Sequence, residues 1–219
     1  MVERGVTRRQ SARQNEFTRD IVGKYMNNYL PAKFHQNNTR DDNNDEVRFN
    51  SDQEYCQRLD EVCRSLAILS NELKSFVKEV HKDRFKDLTS NIVTEIKDDR
   101  PRLKSALKKI ADELFSQGIN WSHIVTFLVF CAELQCRSLE ISNNTNGARL
   151  RSLLNNWICK YIDENLMQWI DEQEGGWLDV TAIITERENK KKSIRNYMSV
   201  AAIAAFVGGL YLCSKFTAH

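Results

Sequence analysis

The chain has 219 residues, enough for one compact domain and an appendage. Hydrophobic residues make up 41% and charged residues 28%, which excludes global disorder, and 8 Gly with 2 Pro exclude collagen-like and linker-dominated chains. Lys+Arg 32 against Asp+Glu 30 leaves a net charge of +2, so the charge balance gives no reason to expect a nucleic-acid partner. No apolar run follows Arg4, Arg8, Arg9 and Arg13, so the start does not read as a secretory signal. Glu3 and the missing apolar face speak against a mitochondrial transit peptide. The cysteines (Cys56, Cys63, Cys131, Cys136, Cys159, Cys213) form no CxxC pair and have no histidine at ligand spacing. They read as reduced, mostly buried thiols, with no metal and no cofactor expected. The glycosylation sequons at Asn37, Asn120 and Asn143 are then chance matches.

Residues 1–14 are expected to form a basic, flexible N-terminus. A helix is predicted over 15–30, where Phe17, Ile21, Val22, Tyr25, Met26 and Tyr29 make one apolar stripe that Pro31 ends. Residues 31–51 are Asn- and Asp-rich, cannot bury themselves, and read as a mobile loop. A long helix follows at 52–82. Its apolar residues Tyr55, Leu59, Val62, Leu66, Leu69, Leu73, Phe76 and Val80 fall on a heptad seam. That seam fits a coiled-coil strand, whereas Cys63, Ile68 and Val77 widen it toward a globular helix. Residues 85–116 hold one or two helices, with Pro101 at the start of the second.

Ile124 to Ala132 is interrupted only by Thr126. A run that short cannot span a bilayer, so it reads as a helix surrounded by protein, N-capped by Asn120 with Gly118 in the turn before it. A polar loop is expected at Asn143, Asn144, Asn146 and Gly147. An amphipathic helix with Leu150, Leu153, Leu154, Trp157, Ile158, Tyr161 and Ile162 comes next. Gly175-Gly176 breaks the chain and Trp177 restarts a short helix. No convincing strand alternation appears, so the expected fold is all-α.

Residues 196–214 contain no charge, close to the lower limit for a membrane-spanning helix. Lys190, Lys191, Lys192 and Arg195 make a basic flank at 190–195. The pattern predicts a tail anchor that leaves the folded part, 15–189, in the cytosol. A buried C-terminal core helix, or a helix stored in a groove, is the competing reading. Tyr197, Ala201, Ala205, Gly209 and Leu212 belong to this span. Ala201, Ala205 and Gly209 share one face, which permits close helix pairing in lipid. No nucleophile–base–orienter set, GxSxG, HExxH or phosphate loop appears among the residues, so an enzyme is not expected.

Glu113-Leu114-Phe115-Ser116-Gln117-Gly118-Ile119-Asn120-Trp121-Ser122-His123-Ile124-Val125-Thr126-Phe127 resembles the first homology motif of the Bcl-2 family of apoptosis regulators, roughly ELFxxGxNWGRIVxF. Trp169-Ile170 and Gly175-Gly176-Trp177 resemble the second, WIxxxGGW, with one extra residue before the glycines. Trp157, Tyr161, Leu166 and Trp169 repeat the lead-in of the survival-promoting members. Thr18 to Tyr25, with Ile21 and Val22, resembles their N-terminal motif, and Phe85 to Ser90 their third helix. Leu66 to Leu73 resembles the death motif LxxxGDxL, with Ser70 and Asn71 where the family has Gly and Asp. About four extra residues separate Asn71 from Phe85. Ser122-His123 replaces a Gly-Arg whose Arg, in the family, pairs with the Asp of a bound death helix.

The resemblance implies a helical bundle in which a central hydrophobic helix is wrapped by amphipathic ones, with a C-terminal transmembrane helix. It implies a groove for an amphipathic partner helix. The groove candidates are Phe85, Leu88, Leu114, Phe115, Asn120, His123, Ile124, Val125, Phe127 and Phe130, and each is equally readable as ordinary core. Trp121, Trp169 and Trp177 read as buried aromatics that hold helix junctions. At position 123 a histidine is expected to hold Asp-bearing helices more weakly, or more pH-sensitively, than arginine; a surface histidine without a ligand role is the alternative. The expected partners are death-motif helices of pro-apoptotic proteins, other family members as hetero- or homodimers, and a membrane. The expected location is the mitochondrial outer membrane or the endoplasmic reticulum. A survival-promoting regulator fits best. A pore-forming executioner of the same fold is the alternative, followed by a tail-anchored coiled-coil tether.

Overall fold

The computed structural model describes residues 3–29, 49–81, 84–95, 100–141 and 144–190. The loop reading falls mostly on 30–48, outside the described residues. So does the tail anchor with Tyr197, Ala201, Ala205, Gly209 and Leu212, and all of its basic flank but Lys190. Among the described residues no helix is long and apolar enough to cross a membrane.

Every element is helical: α1 (Glu3–Tyr29), α2 (Phe49–His81), α3 (Arg84–Glu95), α4 (Arg100–Leu114), α5 (Trp121–Ile141), α6 (Asn144–Asn165), α7 (Met167–Asp171), a 3-10 turn (Gly176–Leu178) and α8 (Asp179–Lys190). No strand occurs among the described residues. The all-α expectation holds, and Pro101 sits in the first turn of α4 as expected.

Two boundaries differ. The first helix starts at Glu3, so the basic segment is helical rather than flexible; Arg, Gln and Ala are good helix formers and need no apolar stripe to continue a helix already nucleated downstream. Asn144, Asn146 and Gly147 lie in the first turn of α6, not in a loop. A first turn lacks i→i−4 acceptors for its own N–H groups, so the low propensity of Asn and Gly is cheap there.

α5 is the axis of the bundle and packs against α2, α3, α4 and α6. Every residue from His123 to Ala132 is buried, on all sides of the helix. This explains an apolar run without helical periodicity: the helix has no solvent face to make polar. The wrapping helices are amphipathic. α1 buries Ile21, Val22, Tyr25 and Met26; α2 buries Val62, Cys63, Leu66, Leu69 and Leu73; α6 buries Leu154, Ile158 and Ile162. The heptad seam of α2 thus belongs to a globular core and not to a two-stranded coil.

Candidate partner-helix site

The first-motif turn connects α4 to α5 and is built around one glycine and one cap. Gly118 has φ +106°, a conformation that L side chains rarely adopt. Asn120 is the N-cap: its side-chain oxygen accepts the His123 backbone N–H at 2.9 Å. The His123 ring is buried, and its Nδ1 lies 2.7 Å from the Gly118 carbonyl oxygen. A carbonyl cannot donate, so Nδ1 carries the proton and the ring ties the turn to the helix it precedes. The 3.2 Å approach of Asn120 Nδ2 to Nδ1 is then a close contact rather than a second bond. Position 123 therefore points back into its own turn. The reading of His123 as a surface residue is corrected, because the Gly118 carbonyl would otherwise be left unpaired beside a buried ring.

Leu114, Ile124, Val125, Phe127 and Phe130 are all buried, Phe115 is half-buried and Asn120 is exposed. Phe127 stacks among Phe115 (5.9 Å), Trp157 (6.0 Å) and Tyr161 (5.3 Å), so it faces α6. Phe85 and Leu88 lie on α3, whose backbone alone is described there. In this conformation the apolar surface a partner helix would need is covered.

The death-motif segment of α2 faces inward. Leu66, Ser70 and Leu73 are buried, while Asn71 is exposed. The Ser70 hydroxyl donates to the Leu66 carbonyl at 2.6 Å, and its single proton is thereby used. The Tyr25 hydroxyl, 2.6 Å from Ser70 Oγ, must therefore be the donor of their shared bond. Burial pushes the Tyr25 phenol well above its ordinary range, which keeps it a donor. One turn further on, Lys74 Nζ stands 3.3 Å over the Tyr29 ring and 3.8 Å from Glu133 on α5. Arg137 reaches the same carboxylate at 3.9 Å and also pairs with Glu140. Sequence reasoning missed Lys74 and Glu133, because no local pattern marks an ion pair between two distant helices. It found Tyr25 as a stripe and N-terminal-motif residue, and Tyr29 only as a stripe residue.

The second motif closes the bundle. Trp121 packs on Trp169 at 5.4 Å and on Trp177 at 5.6 Å. The Trp177 indole N–H donates to Thr18 Oγ1 at 3.0 Å, and that hydroxyl donates to Met167 sulfur at 3.5 Å. Gly175 N–H donates to the Asp179 carboxylate at 3.1 Å, and Gly176 has φ +54°. Among the described residues no cluster of His, Cys, Asp and Glu stands close enough to hold a metal ion.

The described residues thus form an all-helical bundle wrapped on a buried central helix, with an inward-facing death-like segment and a tryptophan-sealed second motif. Residues 71–177 match the model of the Bcl-2 family, described as apoptosis regulator proteins. Apoptosis regulator R1 of Xenopus laevis is 33% identical over 95 residues, 43% of this chain and 40% of that protein. Bcl-2-related ovarian killer protein of Homo sapiens is 25% identical over 159 residues, 73% of this chain and 68% of that protein. Bcl-2-like protein 1 of Rattus norvegicus is 32% identical over 72 residues, 33% of this chain and 29% of that protein. Over residues 71–177 the chain is thus similar to the Bcl-2 family of apoptosis regulators.

Proposed function

We propose that this chain is a survival-promoting regulator that captures the amphipathic death-motif helix of a partner in a groove floored by α5. The observation that carries this reading is the state of its own death-like segment. Leu66, Ser70 and Leu73 are buried and tied to α1 through Tyr25, and the polar position left outside is Asn71, which has no charge to offer a neighbour. Such a segment is better suited to holding the bundle than to being displayed as a ligand. A partner helix would enter by displacing the cover over Leu114, Ile124, Val125 and Phe130, with anchors at i, i+3/i+4 and i+7. With Nδ1 engaged by the Gly118 carbonyl, the His123 side chain is committed to its own turn and does not reach out to a partner carboxylate as a long arginine would. Asp-bearing helices are then held more weakly than an arginine would hold them. In this reading residues 196–214 anchor the chain in the mitochondrial outer membrane or the endoplasmic reticulum, folded part in the cytosol.

One observation favours a second reading. The similarity to the ovarian killer protein runs over 159 residues, longer than the match to the frog regulator. In that reading the chain opens and forms pores.

The test uses the full chain in dye-loaded liposomes with a death-motif peptide. Peptide binding without dye release, together with blocking of an added pore-former, is the expected result. Peptide-triggered release would overturn it in favour of the executioner. Neither binding nor release would leave a tether.

A further inference from the structure

The four arginines at the start of the chain take no part in the groove. α1 is helical from Glu3 to Tyr29. Between its acids Glu3 and Glu16 it carries Arg4, Arg8, Arg9 and Arg13 and no other charge. Arg8-Arg9-Gln10-Ser11 is the one place in the sequence where two arginines are adjacent, and they precede a hydroxyl by three and two residues. Protein kinases that select basic substrates use carboxylates to meet cations at such offsets, and arginine offers each a planar, permanent charge. Lys190-Lys191-Lys192-Ser193 is the rival, with lysine in place of arginine.

The contacts of α1 with α7 give a phosphate at Ser11 something to act on. Thr18 Oγ1 donates to Met167 sulfur at 3.5 Å, and Gln14 Nε2 donates to the Asp171 carboxylate at 2.7 Å. Four residues back on α1 thus correspond to four residues forward on α7. The two helices run antiparallel, and the start of α1 lies toward the end of α7. By helical spacing Ser11, Gln14, Asn15 and Thr18 share one face of α1. The end of α7 is acidic: Asp171, Glu172 and Glu174 are exposed, and residues 161–186 contain no lysine or arginine. A helix end bearing cations therefore lies toward a turn bearing anions, with the Gln14–Asp171 bond between them.

We propose that Ser11 is a phosphorylation site for a basophilic protein kinase, and that the phosphate weakens the attraction between the start of α1 and the end of α7. The Ser11 hydroxyl oxygen attacks the γ-phosphorus of ATP and the bond to the β–γ bridging oxygen breaks. ADP leaves, and the hydroxyl proton passes to the base of the kinase. A phosphoserine carries about two negative charges, so the four positive charges of residues 4–15 fall to about two. The dianion also enters one turn from the Gln14–Asp171 bond, where it repels the carboxylate. Both effects have the same sign. A kinase cleft takes its substrate extended, so the chain around Ser11 must unwind. The end of a helix is where unwinding costs least, and Gly5 lowers the cost further. The site lies outside the groove floored by α5 and does not depend on that reading.

The full chain is incubated with ATP and the catalytic subunit of cyclic-AMP-dependent protein kinase, and phosphate is located by mass spectrometry. The expected result is modification at Ser11, none there in Ser11→Ala, and a rate roughly tenfold lower in Arg8→Ala/Arg9→Ala, which keeps the hydroxyl. Modification at Ser193 alone, a folded chain that takes no phosphate, or an unchanged rate in the arginine variant would overturn the assignment. Melts followed by circular dichroism test the consequence. Phosphorylation should lower the melting temperature by about 2–4 °C. That shift should at least halve in Asp171→Asn/Glu172→Gln and shrink in high salt. No shift, or one of the same size in that variant and at every salt concentration, would overturn the coupling to α7.

Discussion

The Tyr29 hydroxyl donates a hydrogen bond to the Glu133 carboxylate at 2.9 Å across 104 residues of chain. Together with the Tyr25–Ser70 bond it forms two rungs, one helical turn apart on α1, that fasten α1 to α5 and to α2 just where the death-like segment ends. Glu133 is 18% exposed in its side chain, so its partners Tyr29, Lys74 and Arg137 act on a carboxylate only partly screened by water. Burial pulls the Lys74 amine below its ordinary value, and the Glu133 charge acts in the opposite direction. Tyr29→Phe is expected to lower unfolding free energy by about 1 kcal/mol, and Glu133→Gln by about 1–3 kcal/mol because it removes the partner of two cations. A double-mutant cycle in urea that gave strict additivity would show the two groups are uncoupled.

The first-motif turn yields a second expectation. Asn120→Ala removes the cap and should destabilise by roughly 1 kcal/mol. His123→Ala should cost a similar ~1 kcal/mol through the Gly118 carbonyl. Gly118→Ala forces a side chain into φ +106° and is expected to lose about 1–3 kcal/mol. Thermal melts rank the three. A neutral His123→Ala would mean that the carbonyl finds water instead.

At the bundle seam, Thr18→Val deletes the acceptor of the Trp177 indole and leaves a buried donor unpaired. A loss of about 1–3 kcal/mol is expected. Trp177→Phe removes donor and volume together and should lose more, by cavity formation. Chemical denaturation distinguishes the two: a Thr18→Val chain as stable as wild type would show that the indole N–H is not confined.

The thiols predict behaviour in base. Burial raises Cys63 to about 11, Cys159 to about 11 and Cys136 to about 12, and pushes Cys131 higher still. Each is raised above its unfolded value. The stability it contributes is therefore complete below pH ~9 and is lost as pH climbs through the folded values. Stability should fall steadily between pH ~9 and 12. Alkylation at pH 8 followed by mass spectrometry should label exposed Cys56 well before Cys63, Cys131, Cys136 or Cys159. Prompt labelling of Cys131 would mean that α5 is not enclosed.

Much of the fold was legible because it is written in short-range chemistry. The stripe of α2 states its burial by period, the Ile124–Ala132 run states it by lacking a polar face, and Pro101 marks the start of α4. The first-motif turn was half legible: Asn120 declares a cap, whereas the His123–Gly118 bond appears only once the turn has closed. The grip of Tyr29 and Lys74 on Glu133 was not legible at all. It depends on how α1, α2 and α5 are brought together in space, and a polar residue on an amphipathic helix looks the same in sequence whether it meets water or a carboxylate. Residues 3–14 were misread for the opposite reason: a helix can extend beyond its packed face on backbone propensity, where no apolar stripe marks it.

The Thr18–Trp177 bond also bears on how the chain is made. Its partners are 159 residues apart. At about 5–20 residues per second, α1 waits on the order of 8–30 seconds for the indole that seals it. Through that interval the nascent chain carries Ile21, Val22, Tyr25 and Met26 without their full cover. A stall in translation anywhere before Trp177 would leave α1 without that seal.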